Sequence, residues 1–337
     1  MNKLHNYGKK IYSQNNEDGI LLQLLKILEN KNININKYFF EFGVEDGSEC
    51  ITRILRDKGW DGVLLDGGYE NKSINLFKEY ITSNNIHNLI KKYKIKKDLG
   101  LLVIDIDYND AYVALNVLEK LNPSIVVAEY NVRLGFDNKT VIHDPNYYWD
   151  YSTYTGCSAQ CIVNIYKHYD VVYANGVNMF LLRKDISKTI NYKTKPLKHF
   201  MKSIGTRKLP RFKYDYYKRS YVDSKHVNHI FIDKTTKISN LIKSYNNKYQ
   251  THINKLKYYR KISNYKLYES YMKIIASCFY NDINKEVKKL KICKDVVITL
   301  IYNNISILTK SKPKPKSKPK PKSKPKPKSK PKSKPKQ

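Results

Sequence analysis

Four apolar segments that each carry acidic residues at or near their end constrain the fold of this 337-residue chain most strongly. Helical patterns separate the segments, and near-continuous apolar strands alternating with helices are typical of a parallel sheet covered on both faces. Parallel strands end at a common edge, where open α/β sheets bind their ligands. The sequence therefore predicts a Rossmann-like α/β fold with an acidic site at one sheet edge. The strands cover residues 38–43, 63–66, 101–107 and 124–130, and their acids are Glu41, Asp66, Asp105, Asp107 and Glu129.

The remaining elements follow from the same reading of periodicity. Apolar stripes at helical spacing predict a helix on either side of most strands. Two later apolar segments are separated by only four residues, which predicts a β-hairpin and an antiparallel end to the mostly parallel sheet. The predicted helices cover residues 13–29, 48–58, 73–82, 110–121 and 158–169, and the hairpin strands cover 170–174 and 179–183.

The turn after the first strand has the pattern Glu-x-Gly-x-x-x-Gly, from Glu41 to Gly47, and Ser48 follows as a candidate helix cap. Gly43 and Gly47 allow close approach and dihedral angles that a Cβ forbids, so a cofactor can lie against bare backbone here. A phosphate prefers helix N–H groups without carboxylates nearby, and Glu41 and Glu45 would repel it. The turn therefore predicts a cationic, amine-bearing ligand, of which S-adenosylmethionine (SAM) is one.

The net charge of +33 is unevenly distributed along the chain. Residues 1–190 are neutral, with 23 basic and 23 acidic residues, whereas residues 191–309 hold 26 basic and 7 acidic residues. Residues 310–337 contain 14 lysines and no acid, and repeat Lys-Pro-Lys-Pro-Lys-Ser, which predicts an extended, disordered, low-complexity tail. The asymmetry predicts a neutral α/β domain, a basic and mainly helical extension, and a tail with a separate role.

The basic extension interleaves cations with tyrosines, as in residues 211–219 and 257–261. Cations neutralise phosphates and tyrosines stack on bases, so nucleic acid is a natural partner. An anionic glycan or an acidic membrane surface would also fit, and no known nucleic-acid-binding motif is present. We therefore expect nonspecific polyanion binding through residues 191–337. An alternative source of the charge is codon bias, because Lys, Asn, Ile and Tyr all have AT-rich codons.

The sequence predicts a soluble protein of a reducing compartment, the cytoplasm. The five cysteines are too scattered for a disulfide scaffold, so we interpret Cys157 and Cys161 as small buried side chains. The N-terminus lacks the apolar core of a signal peptide, and no run of about 18 apolar residues predicts a membrane span. The AT-rich codon bias suggests a large DNA virus or a parasite, and an association with a viral particle or factory.

Several segments, taken in order, resemble the FkbM-type family of SAM-dependent methyltransferases through residues 12–185. The family's fold is a class I methyltransferase sheet, and its members methylate hydroxyl groups of varied small molecules and sugars. The resemblance implies that residues 1–190 are a methyltransferase-like domain whose acceptor is a hydroxyl-bearing small molecule or glycan. Cys157 stands where the family pattern has alanine. The matching segments are residues 12–19, 40–47, 59–66, 104–110, 123–131, 144–150, 154–156 and 176–178.

The resemblance also implies roles for the residues of the acidic edge. Glu41, Gly43 and Gly47 would form the first SAM loop, and Asp66 would receive the ribose hydroxyls. Asp105 or Asp107 would lie near the methionine or adenine end of the cofactor.

Methyl transfer to a hydroxyl requires alignment of the acceptor and removal of its proton. The candidate bases are Asp107, Asp110, Glu129 and His143. Asp107 and Glu129 end neighbouring strands, and His143 could titrate near neutral pH.

A divalent ion is the alternative way to activate the hydroxyl. Asp107, Asp110, Glu129 and Asn131 offer the oxygen ligands that Mg²⁺ prefers, and a bound ion would lower the pKa of the acceptor hydroxyl. The competing interpretation is that Asp110 caps the following helix and Asn131 shapes a turn.

An aromatic stretch, Tyr147, Tyr148, Trp149 and Tyr154, follows the predicted strand at residues 124–130. It could form a wall of an acceptor site for a sugar or ring, or it could pack a long loop.

Two further functions compete with the enzyme. One is a methyltransferase fold that binds polyanions, active or not, and the other is a structural protein of a particle.

Overall fold

The computed structural model describes residues 4–201, 219–262 and 265–309, so the predicted tail from residue 310 lies outside the described residues. A seven-stranded sheet forms the centre of the molecule, in the order β3-β2-β1-β4-β5-β8-β7. The first five strands in this order are parallel, and β8 is antiparallel to both β5 and β7. The mostly parallel α/β sheet and its antiparallel hairpin are therefore confirmed. The strands are β1 Tyr38–Phe42, β2 Asp61–Asp66, β3 Leu76–Lys78, β4 Leu101–Ile104, β5 Ile125–Glu129, β7 Tyr169–Ala174 and β8 Asn178–Arg183.

Seven α-helices accompany the described residues up to 201, and two of the predicted ones differ from the structure. The helix predicted at residues 48–58 is a single turn, α2, and Ser48 does not cap it. The helix predicted at residues 73–82 is instead a short 3₁₀ turn followed by β3, which pairs with the edge of β2. The helices are α1 Glu17–Asn30, α2 Arg53–Arg56, α3 Ile86–Lys92, α4 Asp110–Lys120, α5 Ala159–Ile165, α6 Lys184–Thr189 and α7 Leu197–Met201.

Both faces of the sheet are buried, as the apolar strands predict. All five residues of β1 are buried, and its side chains alternate between two apolar clusters. Phe40 and Phe42 belong to one cluster, whereas Phe39 packs in the other with Leu21 of α1. The sheet therefore holds its strand ends rigidly in place.

The basic extension is packed onto this sheet. Its last four helices pack on one another, and their buried side chains continue the apolar cluster that contains Phe40. A two-stranded sheet of β6 and β9 adds a backbone connection. The change of composition at residue 190 therefore does not mark a break in the core. The elements are β6 Thr140–Val141, β9 Tyr221–Val222, α8 His229–Ser244, α9 Gln250–Lys261, α10 Tyr265–Lys289 and α11 Lys294–Thr309.

Among the described residues, no helix combines the length and the apolar character needed to cross a membrane.

Candidate functional site

A cleft of about 150 Å³ opens beside the carboxyl ends of β1 and β4. The loop after β1 forms one wall through Gly43 and Glu45, and Asp105 forms the other. Gln14 and Asn178 close the side near the hairpin. Gly43 of the predicted glycine turn and two of the predicted acids, Glu41 and Asp105, therefore line the same cleft.

Gly43 brings the backbones of β1 and β4 into direct contact. Its φ of +79° lies in the region that favours glycine, and its N–H donates to the carbonyl of Leu65 at 3.0 Å. A Cβ placed on Gly43 would lie only 1.5 Å from the carbonyl oxygen of Asp105. No side chain can occupy this position unless the loop moves away from β4.

We expect Gly43→Ala to destabilise the protein and to deform the cleft. Gly59→Ala is the matched control, because Gly59 has a similar φ of +77° but a Cβ added there would meet no atom within 4 Å. Both variants carry the backbone strain of a positive φ, on the order of 1 kcal/mol, and only Gly43→Ala adds the clash. Urea unfolding should show a loss for Gly43→Ala that is larger by about 2 kcal/mol or more. Equal losses in the two variants would contradict the close approach.

The carboxylates of Glu41 and Asp66 hold the loop that carries Gly43. Glu41 accepts hydrogen bonds from the backbone N–H groups of Ile51 and Thr52, both at 2.9 Å, and from the Thr52 hydroxyl. Both Glu41 oxygens are thus occupied, although the residue borders the cleft. Burial raises the pKa of Glu41 against the opposing effect of these donors. These contacts give Glu41 a role in shaping the loop, and its contact with a cofactor stays a prediction.

Asp66 also binds backbone, but it keeps acceptor capacity. Its two oxygens accept from the N–H groups of Glu45 at 2.8 Å and Gly68 at 2.7 Å. Each carboxylate oxygen has a further lone pair, so a hydroxyl donor could still bind. The loop-holding role was not foreseen from the sequence, because the spacing of 21 residues to Glu45 carries no local signal.

Asp105, Asp107 and Glu129 form an acidic cluster at the ends of β4 and β5. One oxygen from each side chain lies within 4.8 Å of the others. Asp105 and Glu129 are half-buried and share a hydrogen bond, and burial together with the neighbouring carboxylates raises the pKa of both well above its usual range. So close a group cannot be fully ionised at neutral pH unless protons or a cation neutralise it.

Asp107 is the most accessible member of the acidic cluster. It has a φ of +66°, and the hydroxyl of Thr155 donates to its carbonyl oxygen, which fixes the turn. The shielding of its carboxylate from water raises its pKa to about 7, and the charges of Asp110 and Glu45 add to the effect, although part of the residue remains open to solvent. A carboxylate that titrates near neutral pH can exchange a proton with a substrate.

The other two predicted metal ligands lie outside this cluster. Asp110 begins α4 and accepts the N–H of Ile106 at 2.8 Å, and burial raises its pKa to about 6. The side-chain oxygen of Asn131 accepts from Arg133 N–H at 3.1 Å, and its amide donates to the carbonyl of Thr155 at 3.0 Å. Asn131 therefore shapes a turn, as the competing interpretation had it. Asp110 is the first residue of α4 but does not cap it: the N-cap position is Asn109, and the Asp110 carboxylate instead binds the turn before the helix at Ile106. The structure places Asp105 with Asp107 and Glu129 instead.

His143 is buried beneath the extension and does not act as a base at neutral pH. Its Nε2 lies 2.5 Å from the Ser83 hydroxyl, and its Nδ1 lies 2.8 Å from the Thr235 hydroxyl of α8. Its ring meets Tyr112 edge-on, and burial lowers its pKa to about 3. The expected catalytic role of His143 is therefore corrected to a structural one that links α8 to the sheet.

The aromatic stretch is divided between packing and the surface. Tyr147 and Tyr154 are fully buried against Arg219, whereas Tyr148 is exposed and Trp149 is half-buried. Tyr80, which follows β3, donates from its hydroxyl to the carbonyl of Tyr147. Only Tyr148 and Trp149 of this stretch remain candidates for an acceptor wall.

No family model matches the chain, and no curated protein matches it, so the geometry of the cleft and the acidic cluster carries the functional argument.

Proposed function

We propose that this protein is a SAM-dependent O-methyltransferase that methylates a hydroxyl group, with a sugar or glycan as the acceptor. The observation that carries the proposal is a cleft with a bare-backbone wall at Gly43 and carboxylates around it. The mostly parallel sheet with an antiparallel C-terminal hairpin is also what a class I methyltransferase requires. Residues 1–190 would hold the cofactor, and the extension would flank the acceptor.

The residues of the cleft fit the positive charge of SAM. A Cβ at Gly43 would collide with the backbone of Asp105, so the two strand ends can form the walls of this cleft only with glycine at this position. Asp105 and Glu45 line the cleft and would hold the ammonium and sulfonium charges, which also relieve the mutual repulsion of the acidic cluster. Asp66 would use its remaining lone pairs for the ribose hydroxyls. The same carboxylates disfavour a phosphate-bearing ligand.

Asp107 would remove the proton of the acceptor hydroxyl. When bound, SAM supplies the methyl group, whose bond to sulfur breaks as its bond to the acceptor oxygen forms. The hydroxyl proton passes to the Asp107 carboxylate, whose pKa of about 7 is suited to this exchange. Glu129, hydrogen-bonded to Asp105, orients the cluster and shares its proton.

A divalent ion remains the alternative form of activation in this proposal. Asp105, Asp107 and Glu129 would hold Mg²⁺, since three carboxylate oxygens within 4.8 Å of one another match its preference for hard ligands. The ion would lower the pKa of the acceptor hydroxyl and leave Asp107 as a ligand rather than a base.

Calorimetric titration of the full chain with SAM and with S-adenosylhomocysteine tests the cofactor site. We expect binding at micromolar concentration, and we expect Asp105→Asn to weaken SAM binding by about tenfold or more because a charge-assisted contact is lost. Asp233→Asn is the matched control, since Asp233 is an exposed acid on α8 that pairs with Lys237. The absence of binding for both ligands would exclude the enzyme.

The second candidate function is a polyanion-binding protein with a methyltransferase fold, including a role in a particle. The strong basic excess of residues 191–309 favours it. Failure to bind SAM, together with salt-sensitive binding of nucleic acid by the same preparation, would favour this candidate.

A further inference from the structure

Four exposed apolar side chains lie on two helices of the extension that pack on each other. Tyr258 and Ile262 are on α9 and at its C-terminal cap, and Leu267 and Ile274 are on α10, each between 47 and 59% exposed. A spacing of four residues on α9 and seven on α10 places each pair on one helix face. Isolated exposed apolar residues are common, but a group of aliphatic side chains on adjoining faces calls for an explanation.

Contacts between the helices show that these faces adjoin. The rings of Tyr259 and Tyr271 meet edge-on at 5.9 Å, and Lys255 Nζ lies 4.8 Å from the centre of the Tyr271 ring. Leu267 lies four positions before Tyr271 and Ile274 lies three positions after it, so both lie on the same face as Tyr271 and border the contact between α9 and α10. We call the four apolar residues with the surrounding lysines the α9–α10 patch.

The α9–α10 patch is strongly positive. Residues 245–281 contain a single acidic residue, Glu269, which lies 3.1 Å from Lys273. All the lysines of the patch are exposed, and their long apolar stems allow the charges to reach past neighbouring side chains. They are Lys255, Lys257, Lys261, Lys266 and Lys273.

We propose that the α9–α10 patch docks on an anionic lipid bilayer. Burial of aliphatic and tyrosine side chains at the boundary between headgroups and acyl chains is favourable, and each lysine near an anionic surface adds electrostatic attraction. Nucleic acid would use stacking aromatic rings but would gain little from Ile262, Leu267 and Ile274. A second copy of this chain that docked through the same patch would meet it with like charge. The proposal does not depend on SAM binding.

Vesicle flotation of the full chain tests this docking. The vesicles are phosphatidylcholine alone and phosphatidylcholine with about one-third phosphatidylserine. The lysine tail, residues 310–337, will also attract anionic lipid, but its residues are Lys, Pro, Ser and Gln, and its attraction is screened at about 0.5 M salt. We expect part of the binding to anionic vesicles to survive at this salt concentration. The double variant Ile262→Ser/Leu267→Ser should weaken this salt-resistant binding about tenfold.

The matched control is Ile230→Ser, which removes an aliphatic side chain that is 71% exposed on α8, outside the patch. It should bind vesicles as the unaltered chain does. Equal binding by the patch variant and the control would overturn the proposal, as would equal binding to neutral and anionic vesicles. Dimerisation in sedimentation experiments that depends on the patch, without vesicle binding, would identify a second copy as the occupant instead.

Discussion

Replacing Arg219 by methionine is expected to destabilise the protein by about 3–5 kcal/mol, because it leaves the buried carboxylate of Asp150 without its partner. Both side chains of this ion pair are almost inaccessible to water, and the guanidinium lies 3.0 Å from Asp150 Oδ2. Removing one member of a buried pair costs far more than removing an exposed one. Urea unfolding of Arg219→Met against the unaltered chain measures the difference.

The size of this effect follows from the network around Arg219. The guanidinium donates to the Tyr147 hydroxyl at 2.7 Å and the Ser152 hydroxyl at 2.7 Å, and it lies 4.4 Å from the ring centre of Tyr154. Ser306 of α11 donates to Asp150 Oδ2 at 2.9 Å. The ion pair therefore joins the aromatic loop of the sheet domain to the last helix of the extension.

Two control variants distinguish the cost of an unpaired buried charge from a general loss of stability. Arg183→Met removes a partner of Asp185, whose side chain is 62% exposed, and should cost no more than about 1 kcal/mol. The double variant Arg219→Met/Asp150→Leu removes both charges and should recover most of the loss, because an apolar pair leaves no unpaired ion. A double variant as unstable as Arg219→Met alone would show that the network, not the isolated charge, sets the cost.

The pH dependence of this loss has a definite sign. Burial alone raises the pKa of Asp150, but Arg219 and the surrounding hydroxyls outweigh burial and hold that pKa below its usual value. The ion pair therefore contributes stability above the unfolded pKa, and this contribution is lost as pH falls through the folded pKa. The difference between the unaltered chain and Arg219→Met should be largest near neutral pH and should shrink in acid.

The fold could be predicted from the sequence where burial leaves a continuous signal. The strands β1, β4 and β5 are largely apolar, and such runs are typical of central parallel strands. The edge strand β3 was not predicted, because Ile74, Phe77 and Ile81 also have helical spacing and only three residues pair with β2. Its position is fixed by a tertiary contact, the hydrogen bond from Glu79 N–H to the carbonyl of Asp66 at 2.8 Å.

The candidate site could be located from the sequence. The sequence could not show which carboxylate oxygens accept hydrogen bonds from the protein and which remain available to a ligand. Strand ends placed the acids on one edge, yet both oxygens of Glu41 accept from backbone N–H groups ten and eleven residues away. His143 was misinterpreted for a similar reason, because Thr235, 92 residues further on, covers it. Contacts of this range depend on how the extension packs, and no local pattern in a single sequence encodes them.

If the proposed methyltransferase function holds, Asp107→Asn should lower methyl transfer by about 10²–10⁴-fold, the usual contribution of a general base. The measurement is the rate of S-adenosylhomocysteine formation with a panel of simple methyl glycosides as acceptors. The rate of the unaltered chain should rise with pH through about 7 and then level off, because the base acts only when deprotonated. Asp233→Asn should leave both the rate and this profile unchanged.

Urea unfolding of the ligand-free variant distinguishes a catalytic role of Asp107 from a structural one. Its folded pKa of about 7 lies above the unfolded value, so the folded chain binds more protons between about pH 4 and pH 7 and loses stability as pH rises. Removing the charge should therefore make Asp107→Asn more stable than the unaltered chain at about pH 8, with little difference near pH 4. An inactive variant that is also less stable at pH 8 would show that the carboxylate of Asp107 supports the local structure of the site, and that its loss of activity does not report proton transfer.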